Sequence, residues 1–191
     1  MVELALTMKV KLTTNKHESE ALNRLCDNYT SCCNEVSDWI GEHHTLSQRK
    51  INEAVYHPLR DKYGLLAQMT QSSIRRVIAS YKAIHSRMER RNGENPKRKR
   101  TAYYSTRPKY SSAGVDLLWN RDYSYSSMTG MFSLPVMDGR IKVKANGRES
   151  RTNTETHVSA PPVSYPSAAD GICIFPSPYK FLTLLQVRRP S

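Results

Sequence analysis

One stretch, Met69–Arg91, constrains the fold of this chain more than any other. Its apolar residues recur at steps of three and four, as Met69, Ile74, Val77, Ile78, Tyr81, Ile84 and Met88. This spacing predicts an amphipathic α-helix that buries one stripe. Most of its cations fall off that stripe: Arg75, Arg76, Lys82, Arg87, Arg90 and Arg91. A buried apolar face and a cationic outer face suit contact with a polyanion, although a solvated basic face on an ordinary bundle helix fits the same pattern.

The charge balance indicates what kind of polyanion to expect. The 191 residues carry 29 lysines and arginines against 17 acids, a formal net charge of +12. Such an excess favours attraction to nucleic acid or to an anionic membrane. No apolar run is long enough to cross a bilayer. Glu3 also stands where a signal peptide carries positive charge. We therefore expect a cytoplasmic protein whose partner is nucleic acid, with no membrane association.

The cysteines and histidines do not form a metal-binding pattern. Cys26, Cys32 and Cys33 fall on the apolar face of a predicted helix, and Cys173 stands alone. We expect buried thiols and no disulfide framework. The adjacent pair His43–His44 points in different directions on a helix, which makes it a poor metal clamp. The sequence therefore predicts no metal site and no cofactor.

The N-terminal half predicts a strand followed by helices. Residues 2–12 alternate between apolar and polar, which indicates a strand with one buried face. An apolar stripe over residues 16–42 predicts the first helix. A second helix begins after Leu46 and ends at Gly64, and Pro58 is expected to kink or split it.

The next segment is strongly basic. Residues 92–101 contain Gly93, Pro96 and the run Lys97–Arg100. Such a run repels itself and stays extended. A solvated loop, a localisation tag and a phosphate-contacting arm all fit it. We favour phosphate contact, because the neighbouring helix is also basic.

Short strands are predicted from 102 to 145. Asp138-Gly139 is a good hairpin turn, and strict alternation follows it over Arg140–Lys144. Several tyrosines are interleaved with cations here: Tyr103, Tyr104, Tyr110, Tyr123 and Tyr125 with Arg107, Lys109 and Arg121. This composition suits stacking on unpaired bases, and it equally suits the rim of any amphipathic sheet.

Periodicity is lost after Gly147. Residues 148–191 hold six of the ten prolines, and one short apolar patch remains at Phe181–Val187. We expect irregular or disordered chain there, because little apolar surface can be buried to offset the ordering entropy.

Four stretches taken together resemble a known family. They are Lys50–Gly64 (KINEAVYHPLRDKYG), Gln68–Lys82 (QMTQSSIRRVIASYK), Leu118–Ser124 (LWNRDYS) and Asp138–Val143 (DGRIKV). In order and spacing they resemble the N-terminal part of TnpB proteins, also called OrfB. These are transposon-encoded RNA-guided DNA endonucleases related to the type V CRISPR effectors. The resemblance covers roughly residues 4–147.

The resemblance implies an α+β architecture. A small wedge β-barrel would comprise 2–12 with 102–147, and a helical recognition lobe, 16–91, would be inserted in it. A basic linker, 92–101, and a Pro-rich tail, 148–191, complete the chain. In the family these parts hold guide RNA and the guide–target heteroduplex, which are recognised through backbone shape and charge. The candidate nucleic-acid-binding residues are Arg75, Arg76, Lys82, Arg87, Lys97, Arg98, Lys99, Arg100, Trp119, Arg121 and Tyr123. Trp119 fits the core of the barrel equally well.

The sequence departs from the family where catalysis would reside. A RuvC-like nuclease domain needs separated carboxylates that hold two metal ions. After Gly147 the chain offers only Glu149, Glu155 and Asp170. We expect no catalytic residues and no nuclease activity. A truncated or frameshifted transposase remnant without selected activity remains the alternative.

Overall fold

The computed structural model of the chain describes residues 6–91, 103–118, 120–126, 128–146, 171–175 and 181–187. Residue contacts divide the chain into two compact units, Leu25–Ala113 and Met1–Arg24 with Gly114–Ser191. The described elements make it an α+β protein. They are β1 (Leu6–Thr13), α1 (Lys16–His43), α2 (Gln48–Tyr63), α3 (Ala67–Arg91), β2 (Val115–Leu118), β3 (Ser124–Ser126), β4 (Met131–Val136), β5 (Gly139–Asn146), β6 (Gly171–Phe175) and β7 (Phe181–Val187).

The predicted helices form, with one difference in α2. This helix runs unbroken through Pro58, although we expected a kink or a split there. The lost hydrogen bond to the carbonyl of Ala54 falls on exposed positions, where water can replace it. Gly64 ends α2 in the left-handed region, with φ of 60°, as the sequence predicts.

Three buried polar contacts join α1 to α3 inside an apolar interface. They are Tyr29 Oη to Ser72 Oγ at 3.1 Å, Cys32 Sγ to Ser73 Oγ at 3.3 Å, and Tyr81 Oη donating to the Ser37 carbonyl at 2.9 Å. From one contact to the next the residue numbers increase on both helices, so α1 and α3 run parallel. We call these contacts the α1–α3 seam. Burial raises the pKa of Cys32 to about 11, so the thiol is protonated at neutral pH.

An extended segment, Arg107–Ala113, lies antiparallel along α1, and we call it the strap. Asn34 holds it at both backbone groups of Tyr110, donating Nδ2 to the carbonyl at 2.9 Å and accepting the N–H at 2.8 Å. The further contacts are Ser37 Oγ to the Pro108 carbonyl, the Ala113 N–H to Thr30 Oγ1, and Tyr110 Oη to Ser80 Oγ.

A glycine makes room for the first residue of the strap. A Cβ on Gly41 would lie 2.5 Å from Nε of Arg107, so only glycine lets this side chain cross α1 there. The guanidinium then reaches Asp38 at 3.4 Å and Glu42 at 3.6 Å. We expected 102–147 to belong with the strands, whereas Tyr103–Ala113 lies within the helical unit, Leu25–Ala113.

The other unit contains a seven-stranded sheet in the order β2-β6-β7-β1-β5-β4-β3. As expected, β1 pairs with the strand after the hairpin, through Thr13 opposite Lys144 and Leu12 opposite Ala145. The other partner of β1 is β7. Among the described strands β2 and β3 form the two edges, so the sheet is open where we expected a closed barrel.

Two strands contradict the prediction of an irregular tail. Gly171–Phe175 forms β6 and Phe181–Val187 forms β7, and these strands pair with each other and with β2 and β1. Both segments are rich in residues that favour strands, such as isoleucine and phenylalanine. In the sequence Pro176 and Pro178 fall between them rather than inside either one. The remainder of 148–191 lies outside the described residues.

The bonds from Asn34 to the strap give a test of the helical unit. We expect Asn34→Ala to lower the free energy of unfolding by about 1–3 kcal/mol, because it leaves a part-buried N–H and carbonyl without partners. Urea unfolding followed by circular dichroism measures the change. Asn23→Ala, at an exposed position of the same helix, is the control and should stay within about 0.5 kcal/mol of the parent. An equal loss in both variants would contradict the role of the strap.

Candidate nucleic-acid interface

The outer face of α3 carries the exposed cations. Its inner face is buried through Ile74, Val77 and Tyr81, each with no exposed area. On the opposite side Arg75, Lys82, Arg87 and Arg90 are exposed. We call these four residues the α3 cation face. Arg90, which the helical spacing already places off the apolar stripe, joins the three predicted contact residues Arg75, Lys82 and Arg87.

These four cations have no hydrogen bond or ion pair within the part of the chain that the structure describes. Several of the exposed cations elsewhere are paired: Arg24 with Asp138, Arg49 with Glu53, Lys62 with Glu35, and Arg107 with Asp38 and Glu42. α3 contains six lysines and arginines but a single acid, Glu89. The α3 cation face therefore keeps its positive charge for an external partner.

Arg76 differs from its neighbours. It is half-buried, and its guanidinium lies over the ring of Tyr29, 5.6 Å from the centroid. Such cation–π contacts stabilise the packing of a cation against an aromatic ring. Its position on α3 explains the difference, because it lies one residue beyond Arg75, toward the α1–α3 seam. Arg76 therefore contributes to packing inside the helical unit, in contrast to its predicted role on the outer face.

The remaining candidates do not join this face. Lys97, Arg98, Lys99, Arg100 and Trp119 lie outside the described residues. Arg121 is exposed, but it belongs to the sheet unit.

Tyr123 is only 1% exposed, and its ring lies 6.5 Å from that of Phe132, centroid to centroid. The prediction that Tyr123 contacts nucleic acid is therefore wrong, since a buried ring cannot stack on a base.

The other tyrosines of the predicted stacking cluster are also used in packing. Tyr103 is buried, and Tyr104, Tyr110 and Tyr125 are half-buried. Tyr125 packs against Phe132 at 4.6 Å. The described residues therefore give the interface cations rather than exposed rings, which suits contact with phosphates more than with bases.

An aromatic cluster holds the chain beside the last turns of α3. The ring of His85 stacks on Tyr103 with centroids 4.3 Å apart and meets Tyr104 edge-on at 5.5 Å. Tyr104 also stacks on His44 at 4.9 Å. Burial lowers the pKa of His85, and the charge of Glu89 partly offsets this effect.

A shallow depression lies at the C-terminal end of α3. Ile84 and Met88 provide an apolar surface there, and Arg87 and Arg90 flank it. Both apolar residues are half-buried. A sugar could rest on such a surface while the guanidinium groups contact the adjoining phosphates.

Within the described residues no group of three or more histidines, cysteines or acids is placed to hold a metal ion. Cys26, Cys32 and Cys33 are buried, as the sequence predicts. No helix among the described residues has the length and apolar character needed to span a membrane.

No protein-family model matches the chain, and no curated protein matches it significantly.

The lowered pKa of His85 predicts a pH dependence of stability. The unfolded state binds a proton near the ordinary pKa of about 6.5, and the folded state binds it only at lower pH. The contribution of neutral His85 to the free energy of unfolding is therefore complete above the unfolded-state pKa. It is lost as the pH falls from there through the folded-state pKa. We expect the urea midpoint to fall less between pH 7.5 and 5.5 in His85→Gln than in the parent.

His17→Gln, at an exposed position of α1, is the control and should keep the pH dependence of the parent. An identical fall in the parent and in His85→Gln would contradict the prediction.

Proposed function

We propose that the chain is a nucleic-acid-binding protein that holds the backbone of structured RNA, or of an RNA–DNA heteroduplex, on the α3 cation face. The observation that carries this proposal is the set of four exposed cations without a carboxylate partner in the described part of the chain. The net charge of +12 adds attraction at long range. Cations that neutralise phosphates release condensed counterions, which is the main source of affinity in such complexes.

The spacing along α3 supports contact with a duplex backbone. Arg75, Lys82 and Arg90 are seven and eight residues apart, which is roughly 10 and 12 Å along the axis. The exposed positions between them include Ala79, Ala83 and Ser86. Short side chains let the helix approach a phosphate ridge closely while the longer cations reach around it. Recognition of this kind depends on the shape and charge of the backbone and not on base edges.

The resemblance to TnpB extends this proposal to particular partners. Guide RNA and target DNA would be the ligands, in the cytoplasm and without a membrane. The order of a strand, three helices and further strands, with β1 paired to β5, supports a wedge-type unit with an inserted helical lobe. The four sequence stretches support kinship with transposon-encoded proteins.

The proposal includes no nuclease activity of the chain alone. The sequence supports this through the few acids after Gly147, namely Glu149, Glu155 and Asp170. Two-metal hydrolysis needs carboxylates that bring two ions within about 4 Å of each other.

Neutralising the α3 cation face tests the proposal. In the triple variant Arg75→Gln, Lys82→Gln, Arg90→Gln, we expect the affinity for a 20-base-pair hairpin RNA at 50 mM salt to fall at least about tenfold. Three phosphate contacts are lost, and each contributes to the release of counterions. Fluorescence anisotropy of the labelled hairpin measures the dissociation constant.

A control of equal charge separates specific contacts from net charge. Lys16, Lys50 and Arg60 are exposed on α1 and α2, and their triple exchange to glutamine removes the same three charges. We expect a loss of less than about threefold. An equal loss in both triple variants would show that the net charge acts without a defined face, and the proposal would be wrong.

A further inference from the structure

The sheet unit carries a second cationic surface, which shares no residue with the α3 cation face. Arg140, Lys142 and Lys144 alternate along β5 and are all exposed. Between them Val143 is buried and Ile141 is half-buried. Because successive residues of a strand face opposite sides, the three cations share one face of the sheet. We call them the β5 cation row.

The strands beside the β5 cation row place no acid next to it. In register, Lys142 lies opposite Ser133 and Lys144 opposite Met131 on β4. On the other side Lys144 lies opposite Thr13 of β1. One strand further, Ser124 of β3 lies opposite Ser133. Pro135 lies opposite Arg140, so the described positions that adjoin the row on this face hold proline, hydroxyl or thioether side chains and no acid.

Two acids of the described residues lie near the row in sequence or in space. Asp138, at the hairpin turn, pairs with Arg24 at 3.3 Å. Asp122 is buried and accepts the N–H of Leu118 at 2.9 Å, and its carboxyl is close enough to Arg140 for the two charges to interact. Lys142 and Lys144 have no such acid among the described residues.

Arg140 is held in place by a neutral residue. Its Nε donates to Ser133 Oγ at 3.0 Å, and its Nη2 donates to the carbonyl of the same residue at 3.0 Å. These bonds orient the guanidinium, and both acceptors are neutral. Two of its five N–H groups are used in this way, and three remain for a ligand. An arginine oriented before binding loses less side-chain entropy when it meets a phosphate.

We propose that the β5 cation row binds the phosphates of an extended single strand of nucleic acid. The cations repeat every two residues, about 6.8 Å along the strand, which is close to the repeat of an extended sugar–phosphate chain. The described side chains beside the row include no aromatic ring, so the contact follows the backbone without stacking on bases. The row therefore binds without preference for base sequence.

This inference rests on the proposed function only in that nucleic acid is the partner. The residues are different, and so is the form of the ligand. A strand of spaced point charges suits a flexible backbone that can match their repeat, whereas the α3 cation face meets a rigid duplex.

The test uses the full chain and fluorescein-labelled oligo(dT) of 12 nucleotides. In Lys142→Gln, Lys144→Gln we expect at least a fivefold loss of affinity at 50 mM salt. The slope of log K against log salt should become shallower by about 1.4, since each phosphate contact to a single strand contributes roughly 0.7. The control Lys16→Gln, Lys50→Gln removes the same charge at exposed positions on other elements and should change the affinity less than twofold.

The outcomes separate this inference from the proposed function. Loss of oligo(dT) binding with hairpin RNA binding retained in the β5 variant supports the inference. An unchanged affinity for oligo(dT), or an equal loss in the control, overturns it and leaves the α3 cation face untouched. An equal loss of binding to phosphatidylserine vesicles in the β5 variant also overturns it, because the row would then be a general anion surface. Circular dichroism must show the same fold in all variants.

Discussion

The α1–α3 seam is the contact on which the proposed interface depends. Apolar packing is tolerant of small rotations, whereas a buried hydrogen bond has a narrow geometry. The bonds from Tyr29 to Ser72 and from Tyr81 to the Ser37 carbonyl therefore determine how α3 is rotated about its own axis. A rotation that turned Tyr81 away from α1 would break its bond to the Ser37 carbonyl and the bond between Tyr29 and Ser72. The same rotation would turn Arg75 and Lys82 away from the solvent-exposed side of α3, where the α3 cation face lies.

The distribution of acids gives the outer face of α3 its charge. Asp38 and Glu42 are engaged by Arg107 of the strap, and Glu35 is engaged by Lys62. Exposed pairs of this kind contribute little to stability. Their consequence is electrostatic, because these three acids are engaged by cations of α2 and the strap and not by the α3 cation face. The strap therefore also contributes to the charge of α3, since Arg107 occupies two acids of α1.

Periodic segments could be predicted from the sequence, and contacts between distant segments could not. The stripe from Met69 to Met88 predicts both the helix and its inner face, and Asp138-Gly139 predicts the hairpin. The strap was missed, because Asn34 and Thr30 look like ordinary polar residues of a helix until Tyr110 and Ala113 lie beside them. The sequence does not predict β6 and β7, although each is a short run with strand propensity, because six prolines in the same stretch favour irregular chain. The distant strands with which β6 and β7 pair leave no local pattern in the sequence.

The candidate site was predicted in part for the same reason. Arg75, Lys82 and Arg87 follow from helical spacing, which says directly that they lie off the apolar stripe. The environment of Arg76 depends on Tyr29, which is distant in the sequence. The environment of Tyr123 depends on Phe132, which lies on a neighbouring strand. Composition alone could not distinguish a tyrosine that stacks on a base from one that packs in a core.

The salt dependence of binding by the unmodified chain tests the central claim most directly. If the α3 cation face holds a duplex backbone, four phosphate contacts give a slope of log K against log salt of about −3.6 or steeper for the hairpin RNA, because each contact contributes roughly −0.9. Additional cations can only make this slope steeper. A slope near zero between 50 and 200 mM salt would mean that phosphates are not the ligands, and it would contradict the account.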